Sequence, residues 1–254
     1  MINVENLTVG YGKKRILENL NVTIPKGKIT ALIGPNGCGK STLLKSISGS
    51  LTPSTGTVSL VDQDLSQLNH KKRAQRLSIL AQSPITPEGI TVQQLVNFGR
   101  NPYLSHWGKL SEQDHHKVQL ALQETELQDF ANTALSSLSG GQRQRAWIAM
   151  ILAQDTEYVL LDEPTTYLDL THQVDLMEMM RTMNRQGKTI VVVLHDLNQA
   201  SRYCDHLIVM KKGKIIAQDS PQEIFNDALL KEVFNLDALI MNDPVANKPM
   251  CIAL

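Results

Sequence analysis

Gly34-Pro35-Asn36-Gly37-Cys38-Gly39-Lys40-Ser41 is the stretch on which the reading of the whole chain turns. It matches G-x-x-x-x-G-K-[ST] in full. The apolar run Ile29-Thr30-Ala31-Leu32-Ile33 before it predicts a buried strand, and Leu43, Leu44 and Ile47 after it fall at helical spacing. In a strand–glycine turn–helix context, backbone N–H groups converge on phosphate oxygens and the helix dipole adds to the attraction. Gly34, Pro35, Asn36, Gly37, Cys38, Gly39, Lys40, Ser41 and Thr42 are therefore the candidate nucleotide-phosphate cradle. Lys40 is expected on the β- and γ-phosphates and Ser41 on Mg²⁺. The Cys38 thiol, close to a helix N-terminus, is expected to have a lowered pKa and to be open to alkylation, with ATP protecting it.

Working outward, strands and helices alternate. Residues 2–9, 20–24, 28–33, 57–61, 77–81, 158–161 and 189–194 read as strands. The last two are continuous apolar runs, as in parallel strands buried on both faces. Residues 84–155 read as an all-helical insert, with Ser111 and Asp114 forming a helix-capping start. Lys211-Lys212-Gly213-Lys214 reads as a hairpin turn, Ser220-Pro221-Gln222-Glu223 as the capped start of a short helix, and Asn247-Lys248 as the centre of a terminal hairpin.

Two further motifs bear chemistry. Val159-Leu160-Leu161-Asp162-Glu163 is a buried strand ending in two acids, and active sites of α/β sheets lie at the carboxyl ends of strands. Asp162 is placed to hold Mg²⁺, and Glu163 to polarise an attacking water. Leu138-Ser139-Gly140-Gly141-Gln142 opens a second helix with glycines and offers a second anion-binding surface. Two phosphate sites in one chain make sense if two chains share nucleotides.

Composition narrows the field. The 254 residues carry 25 Lys+Arg against 25 Asp+Glu, so bulk attraction to nucleic acid is not expected. The longest apolar run, residues 146–153, is far short of the roughly 20 residues that span a bilayer. No secretory leader is visible at Met1-Ile2-Asn3-Val4. Cys38, Cys204 and Cys251 are too scattered for a disulfide framework or a metal cluster. His115-His116 and His70-Lys71-Lys72-Arg73 read as solvated helix faces, and Met177, Met179, Met180 and Met183 as packing residues.

The glycine-rich loop, Leu138–Gln142 and Asp162-Glu163, in that order along the chain, resemble the ATP-binding subunits of ABC transporters along essentially the whole chain. The resemblance implies an α/β P-loop NTPase core with an N-terminal antiparallel β subdomain and an inserted α-helical subdomain. It divides the chain into a nucleotide-binding core (residues 1–85 and 156–220), a helical subdomain (86–155) and a C-terminal extension (221–254). It also implies further site residues. Tyr11 matches the aromatic that stacks on adenine, and Gln82 the glutamine that senses Mg²⁺ and the attacking water. Asp169 matches the loop that contacts the other subunit, and His195 the histidine on the γ-phosphate. Glu163, His195, Gln82 and Lys40 are then catalytic, and Ser41, Gln82 and Asp162 hold the Mg²⁺ that accompanies ATP. Ser139, Gly140, Gly141 and Gln142 act on the ATP of a second copy in a head-to-tail dimer. Tyr167 departs from the small residue common at its position.

The implied partners are ATP, a second copy of the chain, integral-membrane permease subunits and, indirectly, a periplasmic or extracellular binding protein. The implied place is the cytoplasmic face of a bacterial cell membrane, held peripherally. Pro87-Glu88-Gly89-Ile90-Thr91-Val92, Gly99-Arg100-Asn101-Pro102-Tyr103, and His195-Asp196-Leu197-Asn198-Gln199-Ala200 resemble the ATPases of importers for iron(III) siderophores, ferric citrate, haem and cobalamin. A soluble ABC ATPase, as in iron–sulfur cluster assembly, is the rival reading. A GTPase is disfavoured because Asn247-Lys248 is followed by Pro249-Met250 and so forms no base reader.

Overall fold

The computed structural model describes residues 1–61, 63–82, 84, 88–104, 108–166 and 168–254. Tyr167 and Pro87 lie outside the described residues. The chain separates into two compact units, one of Met1–Gln67 with Met180–Leu254, the other of Leu68–Met179.

The first unit opens with β1 (Ile2–Tyr11) and β2 (Lys14–Ile24), paired antiparallel. Apolar parity along β1 switches from Ile2 and Val4 to Leu7 and Val9. The strand absorbs the switch in a bulge with Asn6 at φ 50, so all four side chains stay buried. β3 (Ile29–Ile33) is buried at every residue and leads through the glycine-rich loop into α1 (Lys40–Ser48). β4 (Thr55–Leu60) and the short β5 (Gln63–Asp64) complete an antiparallel sheet of order β2-β1-β4-β5.

The second unit begins with the basic helix α2 (His70–Ala74) and β6 (Leu77–Leu80). α3 (Val92–Phe98), α4 (Glu112–Glu124) and α5 (Gly140–Gln154) follow. All three of these helices start with a capping box, at Thr91, Ser111 and Ser139. The stretch read as all-helical is broken by 3₁₀ turns at Asn101–Tyr103, Gln128–Phe130 and Leu135–Ser137, and by a single bridge between Thr91 and Ala134. Arg100 and Asp114 form an ion pair of 2.8 Å, both residues 5% exposed, and Arg100 Nη1 also donates to the Ala153 carbonyl at 2.7 Å. The pair therefore ties α4 to the last turn of α5. β7 (Tyr158–Asp162), fully buried, runs parallel to β6. The boundary between the units falls within α6 (Leu170–Arg185). Met177, Met180 and Met183 are buried along it, as expected of packing residues.

In the first unit, β8 (Thr189–Val193), α7 (Leu197–Tyr203), β9 (His206–Lys211) and β10 (Lys214–Asp219) follow. β3 lies between β8 and β9 and parallel to both, and β10 pairs antiparallel with β9 at the edge. α8 (Pro221–Ile224) has Pro221 at its start, but Ser220 makes no side-chain cap. α9 (Asp227–Phe234) precedes the terminal hairpin of β11 (Ala238–Asn242) and β12 (Pro249–Ala253). Among the described residues no helix is long and apolar enough to cross a membrane.

Candidate functional site

In each unit, candidate site residues lie at the ends of parallel strands. In the first unit, β3 and β8 run side by side in register to Leu32 and Val193. Their carboxyl ends deliver the loop starting at Gly34 and, two residues past β8, the exposed His195. The loop's shape follows from its glycines. Gly34 has φ 151, and a Cβ there would lie 2.1 Å from the Met210 carbonyl oxygen, so no other residue fits. Gly39, at φ 110, is the N-cap of α1 and gives the helix no side-chain cap. Lys40 is buried to 5% exposure, and its Nζ donates to the carbonyls of Gly34 (2.7 Å) and Pro35 (3.3 Å). A cation thus sits inside the turn that sequence reads as a phosphate cradle. Tyr11, at the end of β1, is half-exposed in a chain with few aromatics.

Cys38 differs from expectation. It is 3% exposed, and burial pushes its thiol up in pKa against the opposing charge of Lys40. The helix N-terminus does not win because the sulfur is packed in the loop rather than presented to solvent, and a neutral, buried thiol is a poor target for alkylation.

In the second unit, β6 and β7 are in register to Leu80 and Leu161. Just beyond, Gln82 Nε2 donates to Glu163 Oε2 at 2.5 Å. Asp162, the last residue of β7, is 3% exposed. Glu163 turns the backbone into the left-handed region at φ 51, which ends the strand and swings its carboxylate toward Gln82. The Thr166 hydroxyl also reaches Glu163 Oε2, at 3.5 Å, and Gln144 of α5 donates to the Pro164 carbonyl at 3.0 Å. Sequence reading assigned no role to Gln144 or Thr166. The Thr166 contact is local, three residues along the chain, whereas the Gln144 contact joins α5 to the turn after β7 and no local pattern announces it.

At the start of α5 the Ser139 hydroxyl accepts from the Gln142 N–H at 3.2 Å, and the Gln142 side chain accepts from the Ser139 N–H at 3.0 Å. A Cβ on Gly141 would meet the ring of His172 at 2.6 Å. His172 in turn bonds Asp169 through its ring nitrogen (2.6 Å) and its backbone N–H (2.9 Å). These bonds, the backbone one foremost, hold the Asp169 carboxyl below the usual carboxylate range. Asp169 thereby caps α6 and brings the loop it belongs to against the turn at Gly141.

Ser41, Gln82 and Asp162 offer oxygen donors alone. Such a set fits Mg²⁺, which takes one or two carboxylates and completes its shell with water and substrate phosphates.

The sequence profile of the family described as ABC transporter matches residues 17–166, more than half of the chain. The chain belongs to the ABC transporter family, as an ATP-binding subunit. The chain is 51% identical to the achromobactin transport ATP-binding protein of Dickeya dadantii, over 99% of this chain and 94% of that one. Identity to the iron(3+)-hydroxamate import ATP-binding protein of Bacillus subtilis is 47%, with the same coverage. The ferric enterobactin transport ATP-binding protein of Escherichia coli is 49% identical, over 98% of this chain and 93% of that one. Among solved structures, a metal-chelate type ABC transporter in an inward-facing conformation superposes with a TM-score of 0.85 at 27% identity, covering 100% of this chain and 96% of that one. A dimeric bacterial ABC transporter cassette gives 0.77 at 30% identity, covering 87% and 98%. The expected α/β ABC ATPase fold, with its antiparallel β sheet and helical segments, is the fold observed.

Proposed function

We propose that this chain is the ATP-hydrolysing subunit of an importer for iron(III)–siderophore complexes. The observation that carries the reading is near-half identity, over almost the full length, to three transport ATP-binding proteins named for siderophores. In this reading Lys40 and the loop amides of residues 34–42 hold the triphosphate, Tyr11 stacks on the base, and His195 contacts the γ-phosphate. Ser41, Gln82 and Asp162 hold Mg²⁺, which when bound neutralises phosphate charge. Glu163, oriented by Gln82, accepts a proton from the attacking water. Ser139, Gly140, Gly141 and Gln142 contact the γ-phosphate bound to a second copy, and Asp169 touches that copy. ATP then closes a two-fold dimer and its hydrolysis releases it, a switch driven by differential phosphate contacts. The division into a core (1–85 and 156–220), a helical subdomain (86–155) and a C-terminal extension (221–254) belongs to this proposal. So do docking on a permease, indirect coupling to a binding protein, and a peripheral place at the cytoplasmic face of the cell membrane.

The test is affinity purification of the tagged chain from detergent-solubilised membranes, followed by uptake assays with radioactive iron(III) as hydroxamate, catecholate and citrate chelates. Co-purification of a multi-span permease and loss of uptake of one chelate on deletion of the chain are expected. Recovery from the soluble fraction without a permease would leave the ATPase and overturn the importer, in favour of a soluble assembly role.

A further inference from the structure

The terminal hairpin of β11 and β12 supplies none of the site residues, yet it is fastened to an element that leads out of one of them. Asn198, Ser201 and Arg202 stand at i, i+3 and i+4 on α7 and so form one stripe. Every one of them bonds the hairpin. The Asn198 amide pairs with both backbone groups of Cys251, donating to its carbonyl at 3.0 Å and accepting from its N–H at 2.8 Å. Ser201 donates to the Pro249 carbonyl. Arg202 Nε donates to Asp243 at 2.5 Å, and the other oxygen of that carboxylate closes the hairpin turn through the N–H groups of Val245 and Ala246. From the hairpin side, Lys248 Nζ reaches the Cys204 carbonyl at 2.6 Å, just past the end of α7.

α7 has seven residues, and a helix that short has no stability of its own. A lone two-stranded hairpin is equally marginal. The bonds between them therefore help to hold each in place, and α7 begins at the Asp196 N-cap, the residue directly after His195. A shift of α7 would act on His195 through the chain itself, since His195 lies between β8 and the Asp196 N-cap.

We propose that the C-terminal hairpin braces α7 and so sets the position of His195 during ATP hydrolysis, with Asn198 and Arg202 as positioning residues. The inference rests on the reading of His195 as the γ-phosphate contact. It is tested by ATP hydrolysis of the full chain in complex with the permease that co-purifies with it. Asn198→Ala and Arg202→Ala are expected to lower kcat about tenfold, because a small misplacement of a reacting group is costly. The KM for ATP should stay within about twofold, since the loop of residues 34–42 is untouched. Arg202→Lys should recover most of the loss. In a His195→Ala background, Asn198→Ala should cost nothing further, the mark of two residues acting as one. Wild-type kcat in both alanine variants would overturn the brace, and so would a loss that adds in full to His195→Ala. If His195→Ala itself keeps full turnover, the reading of His195 fails first and the brace falls with it.

Discussion

The chain has two glycine-bearing helix starts that face phosphate chemistry, α1 and α5, and they are built in opposite ways. α1 begins at Gly39, which has no side chain to cap it, and the buried cation beside it, Lys40, is turned onto the loop's own carbonyls. α5 begins at Ser139, where Ser139 and Gln142 satisfy each other in a capping box. In the proposed function the first is an anion site formed within one chain, which Lys40 completes by exchanging two carbonyls for phosphate. At the second, an anion that seeks the Gln142 N–H must displace the Ser139 hydroxyl oxygen from it, a bond typically contributing about 1 kcal/mol. Under the proposed function the difference predicts that ATP binds first at α1, and that α5 engages only when a closed dimer offers enough other contacts to offset its cap.

Glu163→Gln gives the largest expected effect and separates engagement of the two helix starts from chemistry. Loss of the base should lower turnover by roughly 10²–10⁴-fold. ATP affinity should be unchanged and closed dimers should accumulate on size-exclusion chromatography with ATP. Turnover near wild type would remove Glu163 from its role.

Lys40→Ala strikes the α1 site alone. A charge-assisted contact contributes about 1.5–3 kcal/mol, so affinity for ATP should fall roughly 10–150-fold in calorimetric titration. An unchanged affinity would break the comparison at its first member.

Ser139→Ala strikes the α5 start. It should reduce the helix's stability by about 1 kcal/mol, leave binding of ATP to a single chain intact, and lower the yield of closed dimer in the Glu163→Gln background. Weakened ATP binding by the monomer would show that α5 acts within its own chain.

The smallest effect is expected at Cys38. Because burial raises its pKa, the thiolate is scarce below the ordinary thiol range and becomes available only as pH rises past the shifted value. Alkylation at neutral pH should be slower than for a free thiol, and Cys38→Ser should change turnover little. Rapid inactivation at neutral pH that ATP prevents and Cys38→Ser abolishes would restore the reactive thiol that the sequence suggests.

Much of this was legible before any coordinates. The glycine loop, the buried runs of β3, β7 and β8, and the cap at Ser111 are local patterns, because backbone conformation and amphipathic spacing are decided within a few residues. The bulge at Asn6 is not part of that reading, which gives residues 2–9 as one strand. The bond from Gln82 to Glu163 joins residues 81 apart and was not read from the sequence, where resemblance named Gln82 and the end of a buried strand named Glu163, each by itself.

What the sequence determined alone is the type of each helix start and the chemistry of the residues it presents. Glycine at 34 and 39, lysine at 40, and serine and glutamine at 139 and 142 carry their conformational and hydrogen-bonding capacities wherever they are placed. What only the tertiary structure decided is which distant groups meet them. It set His172 against Gly141, buried the Cys38 thiol, and brought the terminal hairpin onto one stripe of α7. Those outcomes depend on long-range packing, in which a side chain's environment is set by neighbours that the local sequence does not name.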